Sequence, residues 1–389
     1  MVVVGGGFAG ASAARRLALR GLRVHLVEED GNYTACPFSN SVVAGVRDPE
    51  RQLFGYRAVE KAGVSRVRLR AVGVDADRRR VTLSDGSTLD YDRLILAPGI
   101  EVRLDALPGY DAAASRRMPH AWQAGAQTLL LRRQLEAMND GGTVVIVVPP
   151  NPYRCPPGPY ERASLIAHYL ETRKPRSKLI VLDAKDTFSK QPLFVAAWKD
   201  LYPGIIEYVP LSDGGKVISV DAKSLSVEAE FGRHRADVAN VIAPQRAARI
   251  ADQAGVADRS GWCPIDPITF ESRLIPKIHV IGDAAIGGAM PKSAFVANQQ
   301  AIACAAAVAD LIAGVVPATP KLVNTCYSLV APDYGISIAG VFAPNADGVL
   351  AEVPGSGGLS PIDAPRAVRA LEARYAQAWF DTITRDVFG

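Results

Sequence analysis

The sequence predicts an α/β protein with two Rossmann-like dinucleotide-binding domains and a C-terminal α+β domain. Three observations predict it. A glycine-rich turn links a β-branched strand to a helix at the start of the chain, and an acidic residue ends the next strand. A second strand–helix–strand unit follows residue 128 and has no such glycine turn. Near residue 280 a further buried strand stops at a Gly-Asp pair and leads into a long Ala-rich segment. At 389 residues the chain exceeds one compact core, so two or three domains are expected.

Each element follows from local pattern. Residues 2–4 are a β-branched strand, and residues 11–20, rich in Ala, Leu and Arg, form a helix that Gly21 ends. Residues 24–27 are the next strand. Residues 80–83 and 88–91 pair as a hairpin around Ser84-Asp85-Gly86, and 94–97 is a buried strand stopping at Pro98-Gly99. In the second unit a helix over 128–138 turns at Asn139-Asp140-Gly141-Gly142 into a strand over 143–148. A helix over 161–171 then leads to a strand over 179–182. After residue 236 the pattern returns to the first type, with strands at 238–242 and 278–281. A helix from Pro291 to Ile312 follows, with Pro291 in its first turn. The remainder holds strands at 327–330 and 335–342 and an amphipathic helix over 364–384. The expected domains are residues 1–114 with 236–314, residues 115–235, and residues 315–389.

Composition narrows the function classes. With 48% hydrophobic and 22% charged residues the chain is globular, not disordered. A net charge of +4, with one dense basic cluster at Arg78-Arg79-Arg80 beside the hairpin, offers no concentrated face for nucleic acid. No apolar run reads as long enough to cross a bilayer. The chain starts directly on its first strand, a start compatible with an export signal removed by processing. Five cysteines are too scattered for a stapled fold or a zinc site, and no C-x-x-C-H attaches haem. Any haem therefore sits on a partner chain.

Gly5-x-Gly7-x-x-Gly10 lies between strand and helix. Gly5 permits the tight turn, Gly7 lets the backbone approach a pyrophosphate, and Gly10 lets helix and strand pack closely. Glu28 is placed to hold ribose hydroxyls. The segment Ile278-His279-Val280-Ile281-Gly282-Asp283 resembles the second fingerprint of two-dinucleotide-domain flavoproteins, in which the aspartate binds the ribityl chain. That resemblance implies FAD. Lys292 and the following helix N-terminus are expected to face negative charge on the reduced flavin.

A nicotinamide nucleotide is not expected. The strand over 143–148 runs into a loop with six prolines among residues 149–159, which removes backbone N–H donors that would cradle phosphates. Cys155 sits in this loop at the carboxyl end of a strand, and Cys326 lies in the last domain. Residue pattern alone leaves both open between core packing and chemistry.

Several strings are similar to the flavoprotein subunit of flavocytochrome c sulfide dehydrogenase, on a glutathione-reductase-like architecture. They are Pro119-His120-Ala121-Trp122, Arg154-Cys155-Pro156-Pro157-Gly158-Pro159-Tyr160-Glu161-Arg162, Gly261-Trp262-Cys263-Pro264, Met290-Pro291-Lys292-Ser293, Asn324-Thr325-Cys326-Tyr327 and Asp363-Ala364-Pro365. The resemblance implies a redox-active Cys155–Cys326 disulfide beside the flavin. It also implies a covalent link from Cys36, in Cys36-Pro37-Phe38-Ser39-Asn40, to the flavin, and Glu161 as acid/base. Hydrosulfide attack on such a disulfide leaves one persulfide and one thiolate. Cys155 is expected to carry the persulfide and Cys326 to face the flavin. Cys263 and Cys304 read as structural, and Tyr375, Trp379 and Phe380 follow helical spacing.

The resemblance further implies a heterodimer with a c-type cytochrome subunit, hydrosulfide or polysulfide as substrate, sulfur or polysulfide as product, and the periplasm. Two alternatives stay open: a sulfide:quinone reductase-like enzyme, or a non-catalytic flavoprotein partner in sulfur oxidation. The charged last helix argues against the first of these.

Overall fold

The computed structural model describes residues 1–389. The chain opens with β1 (Val2–Val4), α1 (Phe8–Leu19), β2 (His25–Val27), α2 (Ser39–Val43), β3 (Ser65–Val67) and β4 (Leu94–Leu96). Every residue of β1 and β4 is buried, as expected of strands covered on both faces of a parallel sheet. The second unit comprises α3 (Ala126–Ala137), β5 (Thr143–Val148), α4 (Gly158–Arg173), β6 (Lys178–Asp183), α5 (Gln191–Leu201), β7 (Ile206–Val209) and β8 (Val238–Val241). The chain then returns through β9 (Ile278–Val280) and α6 (Ala294–Ile312). It ends with β10 (Leu322–Ala331), β11 (Tyr334–Pro344), β12 (Leu350–Glu352) and α7 (Arg366–Val387).

Two parallel sheets follow, ordered β9-β4-β1-β2-β3 and β7-β6-β5-β8. A short antiparallel pair, Ile100–Val102 with Gln245–Ala247, links the outgoing and returning passes of the chain. The boundary expected at residue 236 is therefore too early. Val238–Val241 pairs with Val144–Val147 in the second sheet, and the return crossing comes after it. A short buried Val/Ile run fits either sheet equally well, and only its partner decides which one it joins.

The last helix of the first domain also starts later than expected, at Ala294, with the Ser293 hydroxyl accepting from the Val296 N–H at 3.1 Å. Pro291 and Lys292 precede it. By length and composition alone α6 is apolar enough to cross a bilayer (19 residues, mean hydropathy 1.4). About half of it is buried here against α1 and β10. Its alanines keep that face narrow enough for α1 to pack closely.

The C-terminal hairpin β10–β11 lies on α4 and α6, and α7 packs on β11. This packing matters for function. It brings the middle of β10, with Cys326, to the cavity that Cys155 of the proline loop also lines.

Candidate active site

One cavity of about 560 Å³ runs between the three parts of the chain, within the range of cofactor pockets. Its walls include Gly5 and Gly7 of the first turn, Glu28, Cys36, Cys155, Glu161, Gly282, Asp283 and Cys326. The dinucleotide end is built as the glycine spacing requires. Gly5 has φ +98°, and a Cβ there would sit 2.3 Å from the Ala97 carbonyl oxygen. A Cβ on Gly10 would fall 1.8 Å from the Gly5 oxygen, so α1 can approach β1 only without one. Gly10 itself is buried behind the turn. Glu28 reaches the turn directly, its Oε2 accepting the Gly6 N–H at 2.7 Å.

Asp283 lies across the cavity, 3.8 Å from the Arg154 guanidinium, and burial raises its carboxyl pKa above the usual range. Lys292 is not where the sequence expectation put it. Its ammonium donates to the carbonyls of Asp283 and Ala285 at 2.8 Å each and lies 3.8 Å from the Trp262 ring centroid, outside the cavity wall. Burial lowers its pKa to about 8. Lys292 braces the Gly282-Asp283 turn from behind. Because α6 begins two residues later, Lys292 belongs to the turn rather than to a helix N-terminus.

These features suit FAD. Two glycine turns from separate strands of one sheet, an acid at the end of β2 and a partly buried aspartate across the cavity would hold its phosphates, ribose and ribityl chain. Cys36, half-buried, lines the same cavity.

The sulfur pair sits at the other end. Cys155 adopts a left-handed backbone (φ +58°), uncommon for a residue with a Cβ. Its N–H donates to the Lys292 carbonyl at 2.8 Å and its own carbonyl accepts the Gly158 N–H at 2.8 Å, which fixes the loop. Cys326 enters from β10. Both carry free thiols and both line the cavity. Burial, then the charge of Cys326 and of Glu161, pushes the Cys155 thiol well up. Cys263 and Cys304 are fully buried elsewhere.

Glu161 is in the first turn of α4. Its Oε1 accepts the Leu329 N–H at 2.8 Å and its Oε2 accepts from Asn40 Nδ2 at 2.7 Å. Both bonds favour the carboxylate, yet burial outweighs them and raises its pKa. Two residues quoted in the sequence strings without a role complete this cage. Arg162, 1% exposed, donates through Nε to Asn40 Oδ1 at 2.9 Å and so orients that amide toward Glu161. Its other nitrogens reach the Asn240 side chain and the carbonyls of His120 and Ala121. A third residue, Lys190, had no sequence signal at all. Its ammonium donates to the Cys326 carbonyl at 2.9 Å and the Ser328 hydroxyl at 2.8 Å.

Trp379 of α7 lines the cavity beside Phe295, while Phe380 is buried in the core and Tyr375 is exposed. At the carboxyl ends of β5 and β6, where a second dinucleotide would lie, side chains fill the space. Buried Asp183 accepts from Tyr160 (2.5 Å), Tyr208 (3.1 Å) and Lys185 (2.5 Å), and Phe188 stacks on Tyr160 with ring centroids 3.5 Å apart.

Comparison with known proteins agrees with this geometry. Residues 128–243 match the model for the central part of the sulfide dehydrogenase [flavocytochrome c] flavoprotein chain. Residues 318–388 match that of the flavocytochrome c sulphide dehydrogenase flavin-binding domain, and residues 1–147 that of pyridine nucleotide-disulphide oxidoreductases. The mitochondrial sulfide:quinone oxidoreductase of Mus musculus is 22% identical over 325 residues, 78% of this chain and 69% of that protein. An NADH dehydrogenase-like protein of Mycobacterium tuberculosis is 39% identical over 116 residues, and the aligned part spans only 28% of each chain. The sulfide:quinone oxidoreductase of Aquifex aeolicus shares the fold with a TM-score of 0.76 at 16% identity, over 99% of this chain and 91% of that one. With the flavocytochrome c sulfide dehydrogenase models on the second unit and the C-terminal domain and the pyridine nucleotide-disulphide oxidoreductase model on the first, the chain carries the domains of the flavocytochrome c sulfide dehydrogenase flavoprotein chains, FAD-dependent oxidoreductases.

Proposed function

We propose that this chain oxidises hydrosulfide through a Cys155–Cys326 disulfide and passes the electrons to a c-type cytochrome subunit, in the periplasm. The observation that carries the reading is that two cysteines from different domains line the cavity formed by the glycine turn and Asp283. They are close enough for charge on one to raise the proton affinity of the other. Bound FAD supplies the two-electron acceptor, and Cys36, which lines the same cavity, is its covalent attachment in this reading. Hydrosulfide opens the disulfide, Cys155 takes the sulfur, and the product leaves as sulfur or polysulfide. The filled crevice above β5 and β6 favours electron exit to a protein over exchange with a nicotinamide.

Anaerobic mixing with sulfide is expected to bleach the flavin within the mixing experiment, and NADH is expected to leave it oxidised. Cytochrome c then restores the colour. Restoration by a soluble quinone and not by cytochrome c would replace the acceptor in this reading. A flavin that sulfide leaves untouched would reduce the chain to a binding role.

Glu161 has the burial and position to take the proton that the persulfide releases. Because its pKa is raised, it stays protonated to higher pH than an ordinary carboxyl, and in that form it accepts nothing. The rate of sulfide-driven flavin reduction, normalised to the hydrosulfide fraction, is therefore expected to fall as pH drops through a value above the usual carboxylate range. Glu161→Gln is expected to remove this limb and slow the step by ~10²-fold. A pH profile unchanged in the variant would take Glu161 out of the reaction.

A further inference from the structure

Lys190 is a buried cation without a carboxylate in ion-pair range. It is 3% exposed, and its backbone is left-handed (φ +63°) where it caps the start of α5. A long L side chain rarely adopts that conformation, and such positions persist where the surroundings over-determine them. Burying an ammonium is costly unless its hydrogen bonds are met and an anion balances it. Here the partners are two neutral oxygens, the Cys326 carbonyl and the Ser328 hydroxyl, and at 3.8 Å the Cys326 sulfur. The one group in this set able to become an anion is that sulfur.

The geometry points to Lys190 as the group that stabilises the thiolate left on Cys326 when the disulfide opens, and so directs hydrosulfide to Cys155. This rests on the disulfide reading above. The sulfur of hydrosulfide forms a bond to Cys155 Sγ as the Cys155–Cys326 bond breaks. The electron pair of the broken bond leaves on Cys326 Sγ, and the substrate's proton stays on the new persulfide until Glu161 accepts it. The substrate's sulfur is oxidised and the Cys326 sulfur reduced by the same electron pair, so the disulfide is the only oxidant this step needs.

Exchange is faster the weaker the leaving thiol's hold on a proton. The Lys190 ammonium stands 3.8 Å from the Cys326 sulfur, whereas at Cys155 burial and the charges of Cys326 and Glu161 strengthen the hold on the proton and outweigh the opposing pull of Lys190 and Arg154. The other cations facing the pair are occupied. Arg154 bonds to the Trp122 carbonyl and pairs with Asp283, and Arg162 is committed to Asn40, Asn240 and two backbone carbonyls. The left-handed turn at Lys190 then has a use, since it delivers the ammonium from the central domain onto β10.

Lys190 also ties α5 to β10, and a purely structural role must be separated from an electrostatic one. Two neutral variants of the FAD-loaded protein do this: Lys190→Met, and Lys190→Gln, which keeps an amide donor for the two oxygens if the first fails to fold. Lys190→Arg keeps the charge. In protein reduced with a phosphine, iodoacetamide labelling of the Cys326 peptide is followed by mass against pH. The neutral variants are expected to move its midpoint up by about one unit or more, and Lys190→Arg to move it much less. Reduction of the flavin by sulfide is expected to slow ~10–100-fold in the neutral variants and to recover in part in Lys190→Arg. An unmoved labelling midpoint, whatever happens to thermal stability or rate, overturns the proposal and leaves a domain tie. A Cys326→Ser protein that still reacts with sulfide at the parental rate overturns the disulfide reading, and the directing role with it. The two failures therefore appear in different measurements.

Discussion

Cys326→Ser and Cys155→Ser are each expected to cut reduction of the bound flavin by sulfide ~10³-fold or more, while dithionite reduces it at the parental rate. Serine differs from cysteine by one atom, so packing around these half-buried positions changes little. What disappears is the sulfur–sulfur bond that hydrosulfide must open. Either substitution removes it, which is why the two losses are expected to be equal and the double variant no worse than the single ones. Dithionite, which needs no disulfide, reports whether FAD is still held and reducible. Stopped-flow absorbance of the flavin measures both rates in one preparation. Parental sulfide rates in either variant would mean that the substrate reaches the flavin by another route.

Much of this site is legible in the sequence because its chemistry is carried by residues with rigid local demands. The turn at Gly5, Gly7 and Gly10 can be recognised since only glycine allows the backbone of α1 to press on β1, where the missing Cβ would lie 1.8 Å from an oxygen. Asp283 is legible because a Gly-Asp turn ends a buried strand. Lys292 shows the limit of such reasoning. A lysine beside a proline near a helix start looks like a charge aimed at a ligand, but the helix begins at Ala294 and the ammonium turns back onto two carbonyls. The domain boundary failed for a related reason. Val238–Val241 has the apolar run of any buried strand, and its membership in the second sheet is a matter of hydrogen-bond partners far away along the chain. Asn40, Arg162 and Lys190 are the least legible. Their roles come from hydrogen bonds across more than a hundred positions, and nothing local separates a buried Arg or Lys at a helix start from a solvated one.

Arg162→Leu is expected to destabilise the protein by about 3–5 kcal/mol, although leucine fills a buried site well. The guanidinium serves four acceptors: the Asn40 and Asn240 side chains and the carbonyls of His120 and Ala121. Each acceptor left buried without a donor costs roughly 1–3 kcal/mol, and relief of the buried charge returns only part of the sum. Burial already lowers the Arg162 pKa to about 10, a sign of how far the charge depends on these partners. Lys is no remedy, because a single ammonium cannot span oxygens arranged around a planar fork. Arg162→Lys therefore serves as the functional probe. Without the Nε bond, Asn40 is free to turn its amide away from Glu161. That carboxylate then loses one of the donors that hold its pKa down, although the charge at position 162 is kept. The low-pH limb of sulfide-driven reduction is expected to move to higher pH in Arg162→Lys. Urea unfolding, followed by flavin release and circular dichroism, measures the stability change in both variants. A loss below ~1 kcal/mol in Arg162→Leu would mean that water or a shifted backbone satisfies those oxygens, and that the cage around Glu161 stands without its central cation.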